Sequence, residues 1–180
     1  MNIWHDIDPR RITPQEFDAV VEINKGSKNK YELDKETGLL KLDRVLYTST
    51  HYPQNYGFIP HTWTDDDDPL DVMIITSEPV TPLTIVRCRP IGIFRMEDGG
   101  EIDEKIIAIC VHDPTYKDIT EIRDLPQHLF EEIRHFFQVY KSLESKETYV
   151  HQIQDQKLAM ATIERAMKSY RELFYQKFVK

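Results

Sequence analysis

Apolar and polar positions repeat with a period near two over the first two-thirds of the chain and with a helical period over the last third. Residues 18–23 (DAVVEI), 30–34 (KYELD) and 39–46 (LLKLDRVL) are short, partly alternating runs of the kind that form half-buried strands. KETG at 35–38 reads as the turn of a hairpin. The pattern continues at 70–76, 83–97 and 104–112, with an acidic, glycine-containing turn at 97–103 between the last two. Strands at this spacing predict a closed or nearly closed barrel. The period then changes. Pro126 can occupy a first helical turn, and Leu129, Ile133, Phe136, Phe137 and Tyr140 fall on one helical face. A second helix is expected from about Asp155, striped by Ile163, Met167, Tyr170, Phe174 and Phe178. Strands followed by helices predict an α+β fold, a barrel with helices packed on its outside. No repeat, low-complexity tract or linker interrupts the chain, so a single domain over 1–180 is expected.

Composition narrows the function. Lys and Arg number 23 against 31 Asp and Glu, a net charge of −8, which disfavours a protein that coats nucleic acid. At 40% hydrophobic and 11% aromatic residues the chain can build a core. No apolar run approaches the roughly 20 residues of a membrane span. The opening MNIWHDIDPRR has early acidic residues and no apolar stretch, so no signal peptide is expected. Cys88 and Cys110 sit in apolar, strand-like runs and read as buried free thiols in a reducing cytosol.

The sharpest feature is DDDDPLDV at 65–72, five carboxylates within seven positions. An EF-hand loop fails in both registers: position 5 would be Pro69 or Leu70, and position 6 Leu70 or Asp71, where glycine is needed. Pro69 stiffens its own backbone and that of Asp68. In an extended chain Asp66 and Asp68 would share a face, with Asp71 at the start of the next strand. Such a group suits a hard divalent cation, and Mg²⁺ in particular, which is usually completed by water and substrate phosphates. Asp98, Glu101 and Asp103 lie in the turn at 97–103, and Glu22 and Glu32 on early strands. If a barrel brings these to one mouth, two metals roughly 3.5–4 Å apart could serve in-line phosphoryl transfer.

A phosphate substrate also needs donors. Lys30, Arg44 and Lys105 lie on strand-like segments, and the Arg44 guanidinium could grip phosphate with two parallel hydrogen bonds. Tyr52 and Tyr56 stand four apart in an aromatic segment, and Tyr140 with Lys141 closes the first helix. Each has a plainer reading: a lone lysine is usually a solvated strand residue, Tyr140 lies on an apolar stripe, and His51 and His61 lack partner spacing for a metal.

Taken in order, these residues resemble family I soluble inorganic pyrophosphatases of the short prokaryotic type. The resemblance covers about 18 to 145 and rests on Asp66-Asp67-Asp68-Pro69-Leu70-Asp71-Val72, on VVEI, KYELD and DR, and on YPQNYGFIP, RCRPIG, EDGGEIDEK and HFFQVYK. It implies a five-stranded, OB-like barrel with flanking helices and Mg²⁺-dependent hydrolysis of pyrophosphate to two phosphates, with Mn²⁺ or Zn²⁺ as substitute ions. It implies that Asp66, Asp71 and Asp103 hold the first metals, Asp71 bridging. Asp98, Asp103 and Glu32 would hold those that arrive with substrate. Asp68 would be the base for the attacking water, and Lys30, Arg44, Tyr56, Tyr140 and Lys141 the phosphate-binding set, with Lys105 close by. It further implies a cytoplasmic homo-oligomer, most often a hexamer. Two positions depart from the family pattern: Asp67 stands where glycine is common, and Gly99 where a second acid often follows Asp98. A non-catalytic metal-binding protein and an OB-like nucleic-acid binder are the alternatives. The cationic and phenolic set disfavours the first and the acidic balance the second.

Overall fold

The structure, a computed structural model, describes residues 2–175. Its strands are β1 (Phe17–Ile23), β2 (Asn29–Leu33), β3 (Leu40–Val45), β4 (Asn55–Phe58), β5 (Asp71–Ile75), β6 (Ile85–Asp98), β7 (Glu101–Cys110), β8 (Thr148–Val150) and β9 (Gln154–Asp155). Its helices are α1 (Gln127–Val139) and α2 (Gln156–Phe174). Five strands close on themselves in the order β1–β4–β5–β7–β6, with β6 pairing back onto β1. β8 and β9 add to β6, and β2 and β3 form a separate hairpin. The expected five-stranded barrel with few helices is therefore present.

β5 is flanked on both sides and buried on both faces, which is why VMII carries no polar alternation. One face of the ring packs Tyr56, Met73, Phe94 and Ile107 against Ile133, Phe136 and Phe137 of α1. The other packs Val21, Val72, Ile74 and Ile106 against Ala159, Ile163 and Ala166 of α2. Trp4, Phe58 and Tyr170 form a third cluster with Trp63 and Phe174. Phe178, the last position of the expected stripe, lies outside the described residues.

Several local expectations are refined. β4 runs through the aromatic segment that carried no strand signal. Gly57 at its centre faces Val21, and a Cβ there would stand 1.9 Å from the Val20 carbonyl oxygen. The turn at 97–103 tightens to Gly99–Gly100, both at positive φ (62° and 88°), so Asp98 and Asp103 sit on strands rather than in a loop. Pro126 caps α1 instead of lying within it, and Asp155 caps α2 by accepting from the Leu158 amide at 3.0 Å. Cys88 and Cys110 face each other across β6 and β7 as free thiols, Cys88 buried and Cys110 half-buried. Among the described residues no helix is long and apolar enough to cross a membrane.

Candidate active site

Strand register builds the site. Asp71 opens β5 directly beside Lys105 of β7, and Tyr56 of β4 lies across β5 two positions further on. Alternation puts Asp103 on the same face of β7 as Lys105. The Lys105 ammonium is buried, at 3% exposure, and all three of its hydrogens are used: to Asp71 at 2.8 Å, to Asp103 at 2.8 Å and to the Tyr56 hydroxyl at 2.7 Å. Tyr56 in turn donates to Asp71 at 2.5 Å. Burial works against the Lys105 charge, but Asp103 and Asp71 outweigh it and hold the ammonium pKa well above the usual lysine value. Burial pushes the Asp103 carboxyl up, with Lys105 opposing and Asp71 adding to the rise.

These groups sit in a cavity of about 570 Å³. Glu22, Glu32, Asp66, Asp68, Asp71, Asp98, Asp103, Lys30, Tyr56, Tyr140 and Lys141 all line it with Lys105, so the fold gathers residues spread over 120 positions of sequence. The β2–β3 hairpin contributes Lys30, which pairs with Glu32 two positions on and with Asp43 at 3.3 Å. Lys141, just past α1, pairs with Asp98 at the tip of the β6–β7 hairpin. Tyr140 is buried, tilted against Phe136, with the Lys141 ammonium 5.4 Å above its ring. Burial raises its phenol, so it stays protonated at neutral pH and can donate a hydrogen bond.

The acidic stretch departs from the extended form expected of it. Residues 65–68 make a turn in which the Thr64 amide donates to the Asp68 carbonyl at 2.9 Å and the Thr64 hydroxyl to the same oxygen at 2.8 Å. Asp67 takes a left-handed conformation, φ 61°, to close it. Short polar residues tolerate this region, and glycine favours it, which gives the departure at Asp67 a physical meaning. Asp66 and Asp68 therefore reach the cavity from a turn, not from alternate positions of a strand. Partial burial raises the Asp68 carboxyl, with Asp71 and Asp66 adding to the rise and Lys35 opposing it.

Arg44 is the expected residue that does not line the cavity. It is paired in register with Lys30, but its guanidinium binds Asp43 at 2.5 Å and Glu144 at 2.9 Å. Charge–charge pairing within the hairpin and with the segment after α1 holds it away from the cavity lining.

The pattern of the inorganic pyrophosphatase family matches residues 19–171. The chain belongs to the inorganic pyrophosphatase family. It is 52% identical over 169 residues to soluble inorganic pyrophosphatase 1 of Arabidopsis thaliana, covering 94% of this chain and 80% of that one. The inorganic pyrophosphatase structure from Thermus thermophilus superposes with a TM-score of 0.91 at 36% identity, covering 95% and 99% of the two chains. That from Helicobacter pylori gives 0.85 at 40% identity over 88% and 95%.

For a pyrophosphatase the cavity's charge decides what it can accept. Nine carboxyl side chains line it against five lysines, an excess of acids over bases. Such a wall disfavours an anionic substrate unaided, and divalent cations would offset the excess. Among the described residues no three carboxyl, imidazole or thiol groups converge tightly enough to form a metal sphere, because lysines stand between the carboxylates. The donor set nevertheless fits hard cations. Its atoms are all oxygen, and two of the carboxylates already converge at 2.8 Å on one positive charge, that of Lys105. Glu22 was visible as an acid on an early strand but carried no role. The structure buries it beside Asp71, where burial and that neighbour push its carboxyl up to about 8 while it accepts from the Leu33 amide at 2.8 Å. Lys35, read as a turn residue, also faces the cavity.

Proposed function

We propose that this cavity hydrolyses inorganic pyrophosphate to two phosphates with the help of Mg²⁺. The observation that carries the proposal is the alternation of carboxylates with lysines and phenols in one cavity: acids alone would serve metal storage, and bases alone an anion sink. Asp66, Asp71 and Asp103 on one side, and Asp98, Asp103 and Glu32 on the other, are the residues that would hold Mg²⁺. The ions would supply Lewis acidity, lowering the pKa of water and neutralising phosphoryl charge.

This chain's own residues do the rest. Lys30, Lys141 and Tyr140 donate to the phosphate oxygens and fix the substrate for in-line attack. Arg44 enters the phosphate site on exchanging a carboxylate partner, Asp43 or Glu144, for phosphate. Asp68 accepts the proton of the attacking water, a role that a raised carboxyl performs better than an ordinary one. Oxygen from water bonds to one phosphorus, the bridging bond breaks, and the electron pair leaves with the second phosphate. Lysine and phenol donors stabilise the charge that develops on it.

Two further readings accompany this one. Paired free thiols support a reducing, cytoplasmic setting. Leu42, Val45 and Tyr47, exposed on and just beyond β3, support assembly with further copies, and a homohexamer is favoured. Sedimentation equilibrium at micromolar protein checks the latter, and a monomer would overturn it. The test of the activity is phosphate release from pyrophosphate with Mg²⁺ and with EDTA. Release with Mg²⁺ and none with EDTA is expected, whereas a folded protein silent in both would be a metal-binding protein on this fold.

A further inference from the structure

Lys35 stands at the start of the β2–β3 turn, and that turn is rigid. The Asp34 carboxylate accepts from the Glu36 and Thr37 amides at 3.0 and 3.2 Å, and the Gly38 amide reaches the Asp34 carbonyl at 2.8 Å. From this fixed base the Lys35 ammonium crosses the cavity to the acidic turn. There it donates to the backbone carbonyl of Asp67 at 2.6 Å, pairs with the Asp68 carboxylate and lies 5.5 Å from the centre of the Trp63 ring. Trp63 is itself anchored, its amide donating to the Ala166 carbonyl of α2 at 3.0 Å and its ring stacked on Trp4.

The hairpin is otherwise a separate sheet that shares no strand ladder with the barrel ring, tied to it at its far end by the Leu33 amide, which donates to the Glu22 carboxylate of β1 at 2.8 Å. It carries Lys30 and Glu32, while the turn carries Asp66 and Asp68. The two halves of the site thus belong to different sheets, and Lys35 spans the gap. One of its bonds is to a main-chain carbonyl. That bond persists when Asp68 takes up a proton or turns to a water, so the contact sets position and does not depend on the state of the base.

We infer that Lys35 is a positioning residue, which fixes the phosphate-binding hairpin relative to the Asp66–Asp71 turn. The inference rests on the pyrophosphatase reading above. Geometry is where such a residue acts: a misplacement of about 1 Å can cost on the order of 10²-fold in rate. A substituted chain would bind pyrophosphate through Lys30 and Lys141 much as before but align it poorly with Asp68.

The experiment compares wild type, Lys35→Met and Lys35→Arg in Mg²⁺-dependent pyrophosphate hydrolysis, with thermal melting of each. In Lys35→Met kcat should fall about tenfold or more with KM within about threefold of wild type, the pattern of a lost alignment rather than of lost binding. Lys35→Arg, whose donors reach the same carbonyl, should recover most of the loss, and melting should stay within a few degrees. Lys35→Met with wild-type kcat would overturn the inference. So would a rise in KM at constant kcat, which would make Lys35 a substrate contact. Failure of both variants to fold would also overturn it, making Lys35 structural. A wild type inactive on pyrophosphate would instead overturn the reading on which the inference rests.

Discussion

Replacing Lys105 by Met keeps most of the side-chain volume and all of its apolar stem, which lies by the Tyr56 and Phe137 rings (its ammonium 5.3 and 5.7 Å from their centres), and removes only the ammonium. Three hydrogen bonds vanish with it, and Asp71 and Asp103 are left facing each other without a counter-charge. Stripping one partner from a buried ion pair costs about 3–5 kcal/mol. The two aspartate side chains keep 27% and 25% exposure, so water compensates in part and the lower end, about 3 kcal/mol, applies. In a chain of this length each kcal/mol moves the melting temperature by about 2–4 °C, so in EDTA the variant should melt roughly 6–12 °C below wild type. Mg²⁺ should then recover more stability in the variant than in wild type, because the ion takes over a charge that Lys105 otherwise supplies. At a hundredfold excess over its Kd the ion adds about 2.7 kcal/mol, enough to close most of the gap. The assay is thermal melting of both proteins in EDTA and across a Mg²⁺ titration. Equal melting in EDTA, or equal gains from Mg²⁺, would refute the argument that Lys105 is the resident counter-ion of these two carboxylates.

Three other outcomes are expected. Asp68→Asn should cut kcat by about 10²–10⁴-fold, the usual contribution of a placed acid or base, while Mg²⁺ binding measured by calorimetry is kept. Near-wild-type turnover would remove Asp68 as the base. Arg44→Ala should weaken pyrophosphate binding and turnover together in steady-state kinetics, and unchanged kinetics would confine Arg44 to its pairs with Asp43 and Glu144. Gly57→Ala should destabilise by about 3 kcal/mol or more in urea unfolding, since its Cβ would meet backbone and not a movable side chain.

Much of the fold was legible because period two and period 3.6 seldom imitate each other. The runs at 18–23, 70–76 and 104–112 became β1, β5 and β7, and Asp155 marked the start of α2. β4 escaped because NYGF places an aromatic, a glycine and a second aromatic where alternation would be read, and its strand character comes from neighbours on both sides. The acidic turn differs from the extended form expected of it because the left-handed Asp67 has no signal in composition; Thr64, one residue outside the cluster, closes it through its bonds to the Asp68 carbonyl. The pairing of Arg44 with Glu144 joins positions a hundred apart, beyond any local pattern. Which site residues share the cavity was legible only through the resemblance. That Lys105 lies at its centre followed from strand register alone.

Register also makes the site a reporter on the chain's own folding. Asp71 and Lys105 are neighbours in a parallel pair, and β6, the one strand between β5 and β7 in sequence, must first be set aside. A slip of one residue in β7 would send Lys105 to the opposite face, among Val72 and Ile74, and present Ile106 to the carboxylates. Such a chain could keep its helices and much of its compactness while having no functioning cavity. Recovery of hydrolysis after denaturation therefore counts correctly threaded molecules, whereas far-ultraviolet dichroism counts folded-looking ones. The lag between the two signals would time the joining of β5 to β7.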